Sequence, residues 1–225
     1  MFKPSEQVTY AEVEEMVRLQ DEMNSTVNSN WIELGRDWTL AAKLELAEAI
    51  EHRGWKWWKD LDAIVVDWPQ VQLEIVDAWH FHISRVLVQQ KGNRTATAGI
   101  LFTQLTRNVE LDEAVPSDFN TLASNYNEWL GRGVGWLDLI LASNFTPTQL
   151  YSMYLTKNIL NIFRQENGYK VKGKYIKMWF GAEDNVMVLA IKDSLLYNDN
   201  LSAATLHAGL TSKYADVLAS ESSKD

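Results

Sequence analysis

The sequence predicts an all-α fold, and three observations support this. The chain of 225 residues contains only four prolines. Apolar residues recur every three to four positions along most of the chain, which is the period of a helix buried on one face. Residues that cap helices stand ahead of several of these apolar segments. We therefore expect one domain, residues 1–225, built as a helical bundle.

Capping residues define the first two predicted helices. Thr9 and Glu12 form a capping-box pattern ahead of a helix that should cover residues 10–28. Asp37 is placed to cap a second helix. This helix should end near Gly54, because glycine adopts the left-handed conformation that closes a helix.

A third helix and a less regular region follow. Pro69 suits the first turn of a helix that runs to about Gln90. Residues 94–141 predict two or more helices, interrupted at "EAVPSD" and at "GRGVG". No strand precedes those glycines and their spacing differs from a dinucleotide-binding loop, so we interpret them as a connection between helices.

The C-terminal third continues the helical pattern. A helix should begin at "TPTQL" and run to about Glu166, and Gly168 and Gly173 then mark a loop. The segment "YIKMW" predicts a short strand or turn. The segment "NLSAATLHAGLTSKYADVLA" predicts a final amphipathic helix, and "SESSKD" a frayed tail.

Composition excludes several classes of function. The net charge of -9 and the lack of a Lys/Arg-rich run argue against a nucleic acid partner. The absence of cysteine excludes disulfides, thiolate catalysis and cysteine-type zinc sites. No apolar run approaches the roughly 20 residues that span a bilayer, and the N-terminus has no hydrophobic signal segment. We therefore expect a cytoplasmic protein with no membrane partner.

Four carboxylates lie on two predicted helices that are otherwise apolar. Glu45 and Glu48 are three residues apart, and Glu74 and Asp77 repeat that spacing. Side chains at this spacing share one face of a helix. Packed carboxylates cannot all stay ionised without compensation: either their pKa values rise and some become protonated, or cations lie between them. Oxygen ligands favour Mg²⁺, with Mn²⁺ as a substitute, so the pattern predicts a metal site suited to cleaving phosphoanhydrides.

The two acid-bearing helices have two other interpretations. Glutamates at this spacing also occur on ordinary solvated helix faces, but here their neighbours are apolar. His80 and His82 follow the second acidic pair and suggest a zinc site. On a helical wheel both histidines point away from Glu74 and Asp77, so we favour packing or hydrogen bonding for them.

An anionic substrate would need cations near the metal site. Lys157, Asn161 and Arg164 lie at i, i+4 and i+7 and form one polar stripe on a predicted helix. The loop beyond supplies Tyr169 and several lysines, among them Lys174. A solvated helix face with a basic loop is the alternative.

A nucleobase would need amides and flat surfaces. Gln20 and Asn24 occupy the apolar stripe of the first helix, where a buried amide must find hydrogen-bond partners. An amide also matches the edge of a pyrimidine, although structural amides are common. Phe81 and the tryptophans at 55–58 offer surfaces on which a base can stack.

These residues resemble the all-α dimeric dUTPases, within the wider group of MazG-like NTP pyrophosphatases. The resemblance rests on four segments that together cover about a third of the chain: "LQDEMN" at 19–24, "LELAEAIEHRGWKWWK" at 44–59, "EIVDAWHF" at 74–81 and "KNILNIFRQENGYKVKGKYIKMWFGAEDN" at 157–185. Residues 92–150 match no motif of the family, and we interpret them as an inserted cap or a dimerisation region.

The resemblance implies Mg²⁺-dependent hydrolysis of dUTP, and often dUDP, to dUMP. It implies a homodimer in which E-x-x-E and E-x-x-D helices face a central Mg²⁺ site. A metal-bound water would attack the β-phosphorus, with Glu45 orienting and deprotonating it. The implied metal ligands are Glu45, Glu48, Glu74 and Asp77. The implied phosphate contacts are Lys56, Lys59, Lys157, Arg164, Tyr169 and Lys174. The edge of the uracil would be contacted by Gln20, Asn24 and Asn161, and the base and sugar by Trp57 and Phe81.

Two alternatives remain at this point. Cytosine reverses the donor and acceptor at its 4-position, and an amide can flip to match either base. A dCTP-cleaving or broader nucleotide pyrophosphatase is therefore compatible with Gln20 and Asn24. A non-catalytic helical protein that binds a partner through its tryptophans is the second alternative, which the presence of all four acids disfavours.

Overall fold

The computed structural model describes residues 7–56, 58, 65–106 and 118–222. These residues form nine α-helices and one pair of two-residue strands, which confirms the all-α prediction. The helices are α1 (Tyr10–Val27), α2 (Trp38–His52), α3 (Trp68–Gln89), α4 (Arg94–Thr106), α5 (Phe119–Ser124), α6 (Trp136–Ala142), α7 (Pro147–Glu166), α8 (Asp184–Tyr197) and α9 (Ala203–Ser222). The strands β1 (Met178–Trp179) and β2 (Ala182–Glu183) pair antiparallel.

The chain divides into two compact units, residues 1–154 and 155–225. The boundary falls within α7. The first unit contains α1 to α6 and the first turns of α7. The second contains the rest of α7, the strand pair, α8 and α9. No helix in the described part of the chain is long and apolar enough to cross a membrane.

Side-chain caps start the first three helices where the sequence predicts them. The Thr9 hydroxyl accepts a hydrogen bond from the Glu12 amide, and the Glu12 carboxylate accepts one from the Thr9 amide, which completes the capping box. The carboxylate of Asp37 caps α2 and that of Asp67 caps α3, with Pro69 in the first turn of α3. Local hydrogen bonding therefore fixes where the two acid-bearing helices begin.

Helices α2 and α3 form the principal helix pair of the first unit. Their facing surfaces bury small and branched side chains, among them Ala42, Leu46 and Ala49 on α2 and Ile75 and Ala78 on α3. Small residues let two helices approach closely, so polar groups beside them are drawn into the same interface. This packing brings the two acidic pairs together.

An aromatic cluster anchors α3 on its other side. The rings of Trp79 and Trp136 meet edge to face at 4.9 Å between centroids, and His82 stacks on Trp79 at 5.4 Å. Tyr126 completes the cluster, and all four side chains are buried. Edge-to-face contacts of this kind add stability beyond the area they bury. The orientation of α3 about its axis is therefore well determined.

The second unit has a separate aromatic core. Phe163 of α7 contacts Trp179 of β1 and Tyr214 of α9, both edge to face. The Tyr214 ring also stacks on Tyr175 at 5.2 Å. These contacts hold the turn between α7 and β1 against α9.

Two features of the second unit differ from the sequence-based expectation. The helix α8 was not predicted; its N-cap, Glu183, makes no side-chain capping bond, so the usual start signal is absent. Helix α9 continues to Ser222, into the segment expected to be a tail. Helix α8 is apolar on much of its circumference, so helical periodicity is a weak signal there.

Candidate metal centre

Three glutamates from α2 and α3 converge on one point. Glu45, Glu48 and Glu74 each offer one carboxylate oxygen, and these oxygens lie within 4.8 Å of one another. Glu45 and Glu74 are partly buried, whereas Glu48 is exposed at the edge. The convergence follows from helical spacing, because residues three apart on α2 present both acids to the neighbouring α3. The predicted grouping of Glu45, Glu48 and Glu74 is thus found in the structure.

Repulsion among the carboxylates acts most strongly on Glu45. Burial, and after it the charges of Asp77, Glu74 and Glu48, together raise the pKa of the Glu45 carboxyl to about 8. A hydrogen bond with Glu74 also favours the protonated form. Of the three charges, that of Asp77 raises the pKa of Glu45 most, although Asp77 is not one of the three residues whose oxygens lie within 4.8 Å of one another. All four predicted acids therefore interact electrostatically.

The donor set fits a hard divalent cation. The three grouped residues offer only carboxylate oxygens, which Mg²⁺ and Mn²⁺ prefer. A cation between them would offset the repulsion that otherwise keeps Glu45 protonated. Glu45, Glu48 and Glu74, with Asp77 beside them, are the residues that could hold such an ion.

Three histidines on α2 and α3 have different surroundings. His52, in the last turn of α2, places its Nε2 3.8 Å from Glu74 Oε1. His80 donates from Nδ1 to the Val76 carbonyl (2.8 Å) and stacks on Tyr154. His82 is fully buried, and its ring nitrogens lie 2.9 Å from Tyr126 Oη and from Gln104 Oε1. Both histidines therefore pack and form hydrogen bonds, as predicted. His80 does not point away from Asp77, however, because its Nδ1 lies 4.0 Å from Asp77 Oδ1.

The two predicted base-reading amides form a buried network. The Gln20 Nε2 donates to Ser84 Oγ (3.1 Å) and to Asn24 Oδ1 (3.3 Å), and the Asn24 Nδ2 donates to the same Ser84 Oγ (2.9 Å). The Tyr154 hydroxyl donates to Gln20 Oε1 (3.0 Å). Both amides thus have the partners that burial demands. Contact with a uracil stays a prediction.

The other predicted residues of the first unit lie near α2 and α3. The Phe81 ring is 6.2 Å from that of Trp38, so it packs between the two helices. The Lys56 ammonium forms an ion pair with Glu51. Trp57 and Lys59 lie outside the described residues. The roles of Phe81 and Lys56 in binding substrate stay predictions.

The predicted cations of the second unit centre on Arg164. Its Nε and Nη2 bind Asp184 (2.8 and 2.7 Å), and its Nη1 donates to Asn161 Oδ1 (3.2 Å). The guanidinium also lies over the Tyr169 ring, 5.3 Å from its centroid. The pair with Asp184 is buried, so Arg164 has a structural partner besides any phosphate.

Two predicted lysines of the second unit differ in exposure. Lys157 is partly buried on α7, and Lys174 is exposed on the loop. Gly168 has a φ of +80°, and a Cβ there would stand 2.4 Å from Lys174 Cδ. The positive φ therefore favours glycine at this position, and a Cβ would also displace the exposed Lys174 side chain.

Sequence analysis missed three residues that contact the predicted ones. Asp184 and Tyr175 hold Arg164 in place, with the Tyr175 hydroxyl donating to Asp184 Oδ2 (2.8 Å). Their link to Arg164 depends on tertiary contacts that sequence spacing does not reveal. His52 had a visible signal, because it follows Glu48 by four positions on the same face of α2.

A comparison with known protein families found a match. A family model described as dUTPase matches residues 12–169, more than two thirds of the chain. The match includes all four acids and ends at Tyr169. A search of curated proteins found no matching protein.

Proposed function

The chain belongs to the all-α dimeric dUTPase family, and from this premise we propose that it hydrolyses dUTP to dUMP and pyrophosphate with Mg²⁺. Hydrolysis of dUDP to dUMP and phosphate, a homodimeric active form and replacement of Mg²⁺ by Mn²⁺ belong to the same proposal. Such an activity limits the uracil incorporated into DNA and supplies dUMP for thymidylate synthesis.

The carboxylate cluster is the observation that carries the proposal. Three acids within 4.8 Å, one of them with a pKa raised to about 8, form an arrangement that is costly without a cation. Proteins keep such costly groups where function requires them. A structural role alone would be met at lower cost by apolar residues, as at Ala42 and Ala49 on the same helix.

Each acid has a defined task in this proposal. Bound Mg²⁺ would neutralise charge on the phosphate oxygens and lower the pKa of the attacking water. Glu45, Glu48, Glu74 and Asp77 would hold the cation. Glu45, partly buried among them, would orient the water and accept its proton. The water would attack the β-phosphorus, and dUMP would leave.

Cations and amides would hold the rest of the substrate. Lys56, Lys59, Lys157, Arg164, Tyr169 and Lys174 would contact the phosphates, as the resemblance to the family implies. Gln20, Asn24 and Asn161 would contact the uracil edge, while Trp57 and Phe81 would pack on base and sugar. The Ser84 hydroxyl supports this arrangement, because it positions the amides of both Gln20 and Asn24.

One assay tests the function directly. The full-length protein is incubated with each deoxynucleoside triphosphate, with and without Mg²⁺, and monophosphate and pyrophosphate are measured. We expect dUMP and pyrophosphate from dUTP, only with Mg²⁺. Equal turnover of dCTP would contradict the preference for uracil. Lack of turnover of every nucleotide would contradict the enzymatic function itself.

A further inference from the structure

His52 shares the acid-bearing face of α2. It follows Glu45 by seven residues and Glu48 by four, which are the spacings of one helical face. The imidazole therefore extends the row of acids towards the C-terminal end of the helix. Its side chain is about one third exposed (36%), so an ion from solution can reach it.

A backbone hydrogen bond ties the end of α2 at His52 to the start of α3. The carbonyl oxygen of His52 accepts a hydrogen bond from the Asp67 amide (3.2 Å), at the residue that caps α3. The last turn of α2 is thus tied to the start of the helix that carries Glu74. The main chains at His52 and Glu74 are consequently held near each other.

The separation between the two side chains suits a shared ion. The 3.8 Å from His52 Nε2 to Glu74 Oε1 is too long for a direct hydrogen bond. Nitrogen and oxygen donors bind divalent ions at about 2.0–2.2 Å, so two donors of one ion lie about 3–4 Å apart. A single cation therefore spans the gap without movement of either helix.

We propose that His52 Nε2 is a nitrogen ligand, together with Glu74, of a divalent cation at the edge of the carboxylate cluster. The cluster of three glutamates does not include His52, so the ion lies to one side of the centre of that cluster. Imidazole suits Mn²⁺ better than Mg²⁺, because Mg²⁺ prefers oxygen ligands. His52 would thus raise the affinity of the protein for Mn²⁺ relative to Mg²⁺. The inference rests on the proposed function in one respect, namely that the cluster binds a divalent cation.

Electron spin echo spectroscopy of the full chain loaded with Mn²⁺ tests the ligand directly. We expect modulation from a directly bound ¹⁴N nucleus in the wild-type protein and its loss in His52→Gln. The matched control is His207→Gln in the second unit, where His207 pairs with Glu166 (2.7 Å), and this variant should keep the modulation. Titration should show Mn²⁺ affinity lowered about tenfold in His52→Gln, with Mg²⁺ affinity changed much less.

The outcomes separate this inference from the proposed function. Bound Mn²⁺ without ¹⁴N modulation in the wild type, or modulation that persists in His52→Gln, overturns the His52 ligand and leaves dUTP hydrolysis intact. Modulation without any nucleotide turnover supports the ligand and contradicts the enzyme. Failure of the wild type to bind Mn²⁺ overturns the His52 ligand and the replacement of Mg²⁺ by Mn²⁺, while turnover with Mg²⁺ decides the proposed function separately. If His52→Gln does not fold, His52→Ser replaces it, and the wild-type spectrum still decides.

Discussion

Arg164 and Asp184 form a buried, two-point ion pair that joins α7 to α8 within the second unit. The Nε to Oδ2 and Nη2 to Oδ1 distances are 2.8 and 2.7 Å, and the Asp184 side chain is fully buried. The Tyr175 hydroxyl donates to the same carboxylate. Two parallel charged hydrogen bonds make this the best-defined polar contact of the unit.

Replacement of Asp184 by Asn should therefore destabilise the second unit strongly. The change leaves the Arg164 charge buried without its partner, and such losses cost about 3–5 kcal/mol. Urea unfolding followed by tryptophan fluorescence measures the change in the free energy of unfolding. The matched control is Glu183→Gln, which breaks the exposed Lys177–Glu183 pair (3.0 Å) and should cost less than about 1 kcal/mol. Equal effects of the two variants would contradict the structural importance of the buried pair.

Glu48→Gln should abolish dUTP hydrolysis and leave the fold intact. The substitution removes a ligand charge at almost constant volume, and Glu48 is exposed at the edge of the cluster. Product formation at saturating Mg²⁺ and far-ultraviolet circular dichroism are the two measurements. Glu14→Gln, an exposed change on α1, serves as the control and should keep wild-type turnover. Activity retained by Glu48→Gln at high Mg²⁺ would show that Glu48 is not a metal ligand.

The metal-free protein should lose stability as the pH rises from about 6.5 to about 8, the range in which the opposing contribution of His82 is already complete. The folded-state pKa of Glu45 is raised from 4.5 to about 8, chiefly by burial and then by its acidic neighbours. Protonation of this carboxyl therefore favours the folded state, and that contribution is fully present below 4.5 and is lost on ionisation. Urea midpoints measured across this range should fall for the wild type and fall less for Glu45→Gln. Saturating Mg²⁺ should also make the urea midpoint of the wild type depend less on pH. The same slope of midpoint against pH for the metal-free wild type, for Glu45→Gln and for the Mg²⁺-saturated protein would contradict the raised pKa of Glu45.

The helix pair and its acids could be predicted because their signals are local. Caps at Thr9 and Asp37 and the repeated spacing of Glu45 and Glu48 depend on residues within one helical turn. Helical spacing also implies that the acids of α2 and α3 face a common interface. This much of the site needs only the periodicity of the helix and the cost of packed carboxylates.

Properties set by tertiary packing could not be predicted. The sequence does not show that the pKa of Glu45 is raised, because its burial depends on how α3 lies over α2. The partner of Gln20 and Asn24 is Ser84, about 60 residues away along the chain. The helix that supplies Asp184 lacks a side-chain cap, so neither α8 nor its ion pair could be recognised.

His82 should make the protein sensitive to acid. Burial lowers the folded-state pKa of His82 from 6.5 to about 3, while the hydrogen bond to Gln104 opposes the shift. The neutral ring therefore contributes stability that is present above pH 6.5 and is lost as the pH falls from 6.5 towards 3. Nuclear magnetic resonance of the His82 ring protons should show no titration between pH 7 and 5 in the folded protein. A midpoint near 6.5 would contradict the burial of the neutral ring.

Ser84→Ala should lower both stability and discrimination between uracil and cytosine. Its hydroxyl accepts hydrogen bonds from the amides of Gln20 and Asn24 and donates one to the His80 carbonyl. Loss of an acceptor for two buried donors costs about 1–3 kcal/mol, which urea unfolding can measure. If the amides contact the base, their loosened orientation should also narrow the ratio of kcat/KM for dUTP and dCTP. If Ser84→Ala lowers stability but leaves the ratio of kcat/KM for dUTP and dCTP unchanged, the hydrogen-bond network stabilises the core only. The amides would then have moved without any effect on the choice of nucleotide.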